Sequence, residues 1–449
     1  MTNRPVSIPY DVAVIGGGAS GLAAAIASAR KGARTCVLER DVEAGLPILA
    51  TGNGRCNVSN AHLDPARYRH PAAAARVMGT APERAVERFF ERLGMLMAEE
   101  GEGRLYPVTR RAETVRDVLL RGCRTAGAEL RCCSDIVSAM HDANASTWRL
   151  NVNAPARPLR PKPGRDGKTA LRQLRRTLDS ARKVAGDLSA RRVIIACGGS
   201  VEALAELFAL PHAPEQPVLC PIACAPAFEA PSAPDAEQPL AALDGLRVEG
   251  ALSLLRDGAT AWHEAGEVLF RPYGVSGIAA FNLSRRAEPG DILELDLFPQ
   301  FEDSELAMRL KSREQALGAP SAWGPSWFDG MLAPALAAFL APMLTRGHVE
   351  PDSPCVPAHF LKHVPFLVRG TADARQAQIR RGGIPLDAID LDTLAVRPDI
   401  APALHVCGEA LDMDADCGGY NLAWAWLSGI RAGEAAALAA SSPNESERA

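Results

Sequence analysis

Hydrophobic positions along this 449-residue chain form short unbroken runs near both ends and alternating or helical periods between them. Asp11 to Ile15 is an apolar run of the kind carried by a strand buried on both faces. A helix Ala19 to Lys31, closed by Gly32, and a second strand Arg34 to Leu38 follow it. Periodicity predicts further helices over 82–97 and Ala112 to Arg124, the latter with Val115, Val118, Leu119 and Gly122 on one side. Gly103 to Pro107 reads as a short strand closing into a turn and Ala128 to Ala139 as another strand, while Trp148, Leu150 and Val152 alternate with polar neighbours as a half-buried strand does. Leu171, Leu174, Leu178, Ala181, Val184 and Leu188 recur every three or four residues and predict one helix through Leu188. Arg191 to Gly199 is a buried strand running into a glycine turn. Near the C-terminus, Ala403 to Glu409 reads as a strand and Leu422 to Ala440 as a helix.

Between these ends the character changes. Residues 216–300 are Pro-rich, with short alternating strands at Ala251 to Arg256, Glu267 to Phe270 and Ile292 to Leu297, and 302–345 read as helical. The expected architecture is α/β: a discontinuous Rossmann-like domain with an inserted β-barrel-like domain and a small helical domain. The expected boundaries are 1–215 and 369–440 for the two parts of the nucleotide domain, with a basic insertion at 155–190. The inserted β domain takes 216–300, the helical subdomain 301–368 and a disordered tail 441–449.

Composition narrows the class only a little. The net charge of −4 and 47% hydrophobic content are those of an ordinary globular protein. Eleven scattered cysteines favour a reducing cytoplasm over a secreted disulfide framework, and no set of them has structural-zinc spacing, so no metal is expected. Met331 to Leu344 is too short and too interrupted by proline to span a bilayer, so no membrane association is expected. Charge is uneven, however. From Arg157 to Arg192 there are twelve Lys or Arg against three Asp, following a Pro/Gly-rich stretch 155–164. A solvated helix docked by its apolar stripe explains this stretch, as does an arm that tracks phosphates of RNA.

The candidate chemistry lies at the strand ends. Gly16, Gly18 and Gly21 fall on G-x-G-x-x-G spacing, with Ala19 and Ser20 inside it, where the first strand meets its helix. Gly16 allows the turn, Gly18 lets backbone approach a pyrophosphate, and Gly21 lets the helix pack close to the sheet. The uncompensated N–H groups and dipole of the helix start favour such an anion. Glu39, with Arg40 beside it, follows the second strand and suits the hydroxyls of an adenosine ribose. The loop Gly45 to Asn57, dense in glycine and small polar groups, offers Gly52, Asn53, Arg55, Cys56 and Asn57 to a ligand, and Gly198 ends another strand. At the other end Gly408 and Glu409 close a strand, and Gly418, Gly419, Tyr420 and Asn421 lead into a helix, an arrangement suited to the ribityl chain and N1/O2 side of a flavin. Two Rossmann-like pieces, one at each end, argue for FAD over NAD.

With these residues in view the chain resembles the bacterial YhiN/BaiN-type flavoproteins, also described as aminoacetone-oxidase-like. Besides the glycine motif the resemblance rests on Ala50 to Asn57, Gly103 to Val108, Ala196 to Gly199, Gly266 to Ser284, Gly382-Gly383, Cys407 to Asp412 and Cys417 to Leu422. It implies FAD, a discontinuous FAD domain with an inserted barrel and helices, Asp412 within the cofactor-binding set, and reduction of conjugated C=C bonds. In some members the substrate is a keto-steroid acid, in others a uridine of 23S ribosomal RNA. Arg271-Pro272 and Ile278 depart from the family pattern in a loop expected to overhang the flavin. Candidate proton donors are Cys56, Cys417 and Tyr420, with NAD(P)H as a transient electron donor. An enone-like base in RNA, reached through Arg157–Arg192, is the expected substrate ahead of a free small molecule, because the basic insertion has a physical use on a polyanion. Open alternatives are a flavin oxidase of a small amine and an RNA-associated protein with structural FAD. Absence of a Cys partner near Cys56 and of a second G-x-G-x-x-G argues against a pyridine-nucleotide disulfide oxidoreductase.

Overall fold

The computed structural model describes residues 8–160, 167–199, 201–228, 238–318, 324–345, 355–372 and 374–442. The chain divides into two compact units, Met1–Gln216 with Arg380–Ala449, and Pro217–Ile379. The first unit is thus discontinuous in sequence, and the second is inserted within it.

The first unit is built on a seven-stranded sheet. Glu129–Arg131, Thr35–Leu38, Tyr10–Ile15 and Lys183–Ile195 run parallel in that spatial order, with Val14 opposite Val37 on one side and Ile194 on the other. Tyr10–Ile15 is buried at almost every position, which is why its sequence is a continuous apolar run rather than an alternation. Lys183–Ile195 is the pivot of the sheet. Its C-terminal half pairs in parallel with Tyr10–Ile15 and Leu404–Val406, and its N-terminal half pairs antiparallel with Thr147–Pro155, which in turn pairs with Asp135–Asp142. The helix Ala19–Arg30 and the long C-terminal helix Tyr420–Ser441 pack on each other through small residues. A Cβ on Gly429 would overlap the Ser20 carbonyl, and one on Gly433 the Ala24 carbonyl, so bare backbone is what lets the two axes approach.

Several expected boundaries move. The helix expected through Leu188 ends at Ser180, and Lys183 begins a strand, so Val184 and Leu188 are strand residues. Arg191 and Arg192 within that strand donate to the carbonyls of Ala440 and Ala439 at 3.1 Å, capping the C-terminal end of the last helix. The single strand Ala128 to Ala139 is two strands, because Cys133 turns through a left-handed conformation at φ 57°. The helix 82–97 stops at Glu91, ahead of a left-handed Gly94, and Met97–Glu100 is a strand. The loop Gly45 to Asn57 is wound into 3₁₀ turns over Leu46–Gly54, kinked at Thr51–Asn53. Pro161, Pro163 and Gly164 of the linker, and 443–449 of the tail, lie outside the described residues.

The inserted unit is a closed six-stranded barrel, a firmer closure than alternation alone predicts. Its order is Ile222–Pro226, Gly274–Ser276, Ala259–Arg271, Arg247–Arg256, Ile292–Asp296 and Val364–Thr371, the last returning to the first. Val364–Thr371 crosses residue 368, where the sequence reading ends its helical part. Phe270, Leu252, Leu293 and Phe366 fill the interior. The helices Asp303–Leu317, Pro334–Thr345 and Cys355–Lys362 belong to the same unit. Arg271 pairs with Asp244 at 3.4 Å, and Ile278 opens the helix Ile278–Ser284 with 46% of its surface exposed. No described helix is long and apolar enough to cross a membrane.

Candidate functional site

The first strand hands the chain to its helix through three glycines with distinct constraints. Gly16 adopts φ +106°, and a Cβ there would stand 2.5 Å from the Ala196 carbonyl oxygen. A Cβ on Gly21 would overlap the Gly16 carbonyl, so helix and turn close on each other only with glycine. Gly18 is different. A Cβ there would meet nothing within 4 Å, so its absence keeps space open above the helix start. Gly18 is also the N-cap, and no side chain caps the first turn, in which Ala19 is partly and Ser20 fully buried. A helix start with uncapped N–H groups and open space is an anion site. Glu39 stands at its edge: Oε2 accepts from Gly17 N and Oε1 from Asp41 N, both at 2.7 Å. Arg40 is exposed.

The Leu46–Asn57 segment follows. Gly52 and Asn53 both sit at φ 54° and are exposed. Arg55 turns toward Glu100, with Nη2 at 2.5 Å from both carboxylate oxygens, and its guanidinium lies 4.4 Å from the centre of the Tyr106 ring. Arg110 joins the same carboxylate at 3.2 Å. Cys56 is fully buried, and burial pushes its thiol up to about 12, against a smaller opposing effect of Thr51. Asn57 Oδ1 and Ser59 Oγ are buried with no partner among the described residues, a costly state for groups whose hydrogen-bonding capacity a ligand would use.

The C-terminal strings close the site. Gly408 N donates to Ser428 Oγ at 3.0 Å, and a Cβ on Gly408 would run into Ser20, so this turn abuts the first helix start. Glu409 lies beside Gly198 and Gly199, where a Cβ on Gly199 would stand 2.6 Å from its Oε1. Glu409 Oε1 accepts from Arg380 N at 2.6 Å. Burial raises its carboxyl to about 7, the Arg380 contact opposing and nearby Glu215 reinforcing the shift. Asp412 pairs with Arg69 and accepts from Gly382 N at 2.9 Å. Behind it the wholly buried Asp414 is held by Arg381 in a two-point ion pair at 2.8 and 3.0 Å. Gly418 and Gly419 both have positive φ, and Gly419 is the N-cap of Tyr420–Ser441, again with no side-chain cap. Gly418 O accepts from Asn60 Nδ2 at 3.0 Å, and a Cβ on Gly419 would overlap the Ser59 carbonyl. Asn421 pins the preceding loop, accepting from Ala415 N at 2.9 Å and donating to Ala415 O at 2.8 Å. Tyr420 donates from its hydroxyl to His62 O at 3.0 Å, and burial raises its pKa. Cys417 is partly exposed at the mouth of this helix. No disulfide joins the described cysteines.

The first unit therefore draws together the strings around Gly16–Gly21, Cys56–Asn60, Gly198–Gly199, Gly408–Glu409 and Cys417–Tyr420. Ser20 packs at Gly429 and Ala24 at Gly433, so the two helices run the same way, with the start of the second extending about eight residues, roughly 12 Å, past the first. Two glycine-capped N-termini staggered in this way, the first edged by Glu39 and abutted by the Gly408–Glu409 turn, match a long ligand with an anionic middle, hydroxyls, and an electron-poor ring at the far end. FAD has this form, and the orphaned Asn57 and Ser59 atoms add polar capacity beside the second helix start. Sequence reasoning missed Ser428, Asp414 with Arg381, and the Gly429/Gly433 contact. Of these, only the four-residue glycine spacing against Ser20 and Ala24 is visible in sequence.

Comparison with known proteins adds three findings. Family models described as the HI0933-like protein Rossmann domain and the HI0933-like protein barrel and H2TH domain match residues 10–156 and 232–379. A 3-dehydro-bile acid delta(4,6)-reductase of Clostridium scindens is 28% identical over 95% of this chain and 98% of its own length. A ribosomal RNA dihydrouridine synthase of Escherichia coli is 23% identical over 93% and 96%. Among solved structures, a 3-ketosteroid-delta4-(5alpha)-dehydrogenase from Rhodococcus jostii aligns over 97% of this chain and 99% of that one at 14% identity, with a TM-score of 0.43.

Proposed function

The chain belongs to the HI0933-like family, and from that membership we propose that it is a FAD-dependent oxidoreductase that reduces a C=C bond conjugated to a carbonyl. The observation that carries the proposal is the pair of staggered, glycine-capped helix starts in one unit. The Gly16–Gly21 turn takes the pyrophosphate, Glu39 the adenosine ribose, and Glu409 with Asn57 the ribityl and ring end, where the second helix dipole favours negative charge at N1/O2. Bound and reduced, FAD would supply a hydride to the carbon β to the carbonyl, and one proton must reach the α carbon for the bond to be saturated.

Protein groups supply the rest. Cys417 is the proposed proton donor because it is partly exposed at the mouth of the second helix, whereas Cys56 and Tyr420 are buried. A bile acid delta(4,6)-reductase and a dihydrouridine synthase share one chemistry, saturation of a C=C made electron-poor by a carbonyl. A small enone is the favoured substrate class. The basic stretch that favours RNA loses part of its force, since Arg175, Arg191 and Arg192 each bond to protein partners. The second reading, a uridine in RNA, keeps the support of exposed Arg157, Arg160, Arg172, Arg176, Arg182 and Lys183. NAD(P)H is proposed as a donor that docks transiently.

Two arms separate the substrates. Purified protein with NAD(P)H is offered a 4-en-3-one steroid acid while its absorbance is followed, and dihydrouridine is mapped across ribosomal and transfer RNA of a deletion strain. The expected outcome is enone loss that falls about a hundredfold in Cys417→Ala, with an unchanged RNA profile. A dihydrouridine lost on deletion and restored by wild type but not by Cys417→Ala moves the substrate to RNA. Inactivity in both arms, with rapid peroxide release from a small amine, refutes the reductase and promotes the oxidase.

A further inference from the structure

The helix Gly167–Ser180 is a basic element of the first unit that the proposed chemistry does not use. Its place follows from the strands that carry it. Thr147–Pro155 and Lys183–Ile195 pair through Pro155 opposite Lys183, so the insertion leaves and re-enters the fold at one point. Asn153 is opposite Asp135, which sets that point beside the turn Cys132–Ser134. This turn is bonded to the segment after the second strand: Cys133 N donates to Asp41 O and Ser134 N to Glu39 O, both at 2.8 Å. The insertion therefore emerges at the carboxylate assigned above to the adenosine ribose.

The helix then turns one face inward. Leu174 is buried and Leu171 and Leu178 half-buried, while Arg172, Arg176, Thr177 and Asp179 are exposed. From this docked side Arg175 Nε donates to both oxygens of Asp41 at 3.0 Å, and its Nη2 makes a second bond to Oδ2. Burial alone would raise the Asp41 carboxyl, yet the Arg175 hydrogen bond and charge hold it below its ordinary value. Asp41 N in turn donates to Glu39 Oε1. A continuous path thus runs from the Arg175 guanidinium through Asp41 to Glu39.

We propose that Gly167–Ser180 is the outer wall of the adenosine end of the cofactor site, with Arg175 acting as a positioning residue that latches the wall to the Glu39 loop through Asp41. The proposal rests on the FAD reading above. It gives Arg175 a use within the chain and leaves only the outward arginines for any polyanion.

FMN, which carries the flavin and one phosphate but no adenosine, isolates the claim. Binding of FAD and of FMN to deflavinated protein is measured by flavin fluorescence for wild type, Arg175→Ala and Arg175→Lys, with circular dichroism to verify folding. FAD affinity is expected to fall about tenfold in Arg175→Ala, the loss of hydrogen bonding to a charged group, with FMN affinity unchanged and partial recovery in Arg175→Lys. Equal losses for FAD and FMN, unchanged FAD affinity in well-folded variants, or loss of RNA binding alone would overturn the proposal. Wild-type protein that takes up neither flavin would instead remove the FAD reading on which it stands.

Discussion

Glu409 shows how little of a site's chemistry one residue's identity conveys. Sequence places a carboxylate at a strand end, but its raised proton affinity comes from burial against Gly198, Gly199 and Arg380, which tertiary packing alone supplies. Its carboxyl rises from the usual 4.5 to about 7. The folded, unliganded state thus binds more protons than the unfolded chain across that window and loses about 3 kcal/mol of stability as pH rises through it. Ribityl hydroxyls donating to Glu409 would favour the charged form and reverse the shift, so FAD uptake near pH 6.5 is expected to release a proton. Calorimetry in two buffers of different ionisation enthalpy measures that release. Glu409→Gln should abolish it, and an equal release from the variant would show that Glu409 is not the group. The glycine motif is the opposite case, because Gly16 and Gly21 are required by local backbone geometry that sequence spacing already encodes.

Elements were legible where one period fitted and misread where two did. In 171–188 the four-residue spacings Leu174 to Leu178 and Val184 to Leu188 each satisfy a helix and also a strand, since four is a multiple of the strand period of two. The chain uses the helix to Ser180 and the strand from Lys183, where pairing with Thr147–Pro155 decides the outcome. The barrel strands were found short because only their buried cores alternate cleanly: Ala259–Arg271 extends well beyond Glu267 to Phe270. The contact between Ala19–Arg30 and Tyr420–Ser441 is the element-level feature with the clearest consequence. Gly429→Val places side-chain atoms where the Ser20 carbonyl lies, so the helices must separate. The expected cost is roughly 2 kcal/mol or more, read as a lowered melting temperature, together with weakened FAD retention because the stagger of the two helix starts changes. Leu438→Val, at an exposed position on the same helix, should leave both unchanged. A normal melting temperature and normal FAD retention in Gly429→Val would contradict this packing.

At the scale of the whole molecule, the two ends of the chain make one unit and the middle makes another. The sequence carried this arrangement through two separated sets of glycine-rich strand ends, since neither set alone provides both helix starts. What it could not carry is the substrate, because the partly exposed Cys417, the exposed Ile278 and the outward arginines have no periodicity that names a ligand. On the reading proposed above, the first unit holds FAD and passes its electrons to a C=C conjugated to a carbonyl. Anaerobic stopped-flow mixing tests it most directly: protein reduced with one equivalent of dithionite is mixed with a 4-en-3-one steroid acid, and flavin and enone absorbances are followed together. The expected result is flavin reoxidation matched one for one by enone loss, faster than reoxidation by air-saturated buffer. Flavin that stays reduced with the enone and with uridine-containing RNA alike, yet is reoxidised promptly by oxygen, would contradict the account.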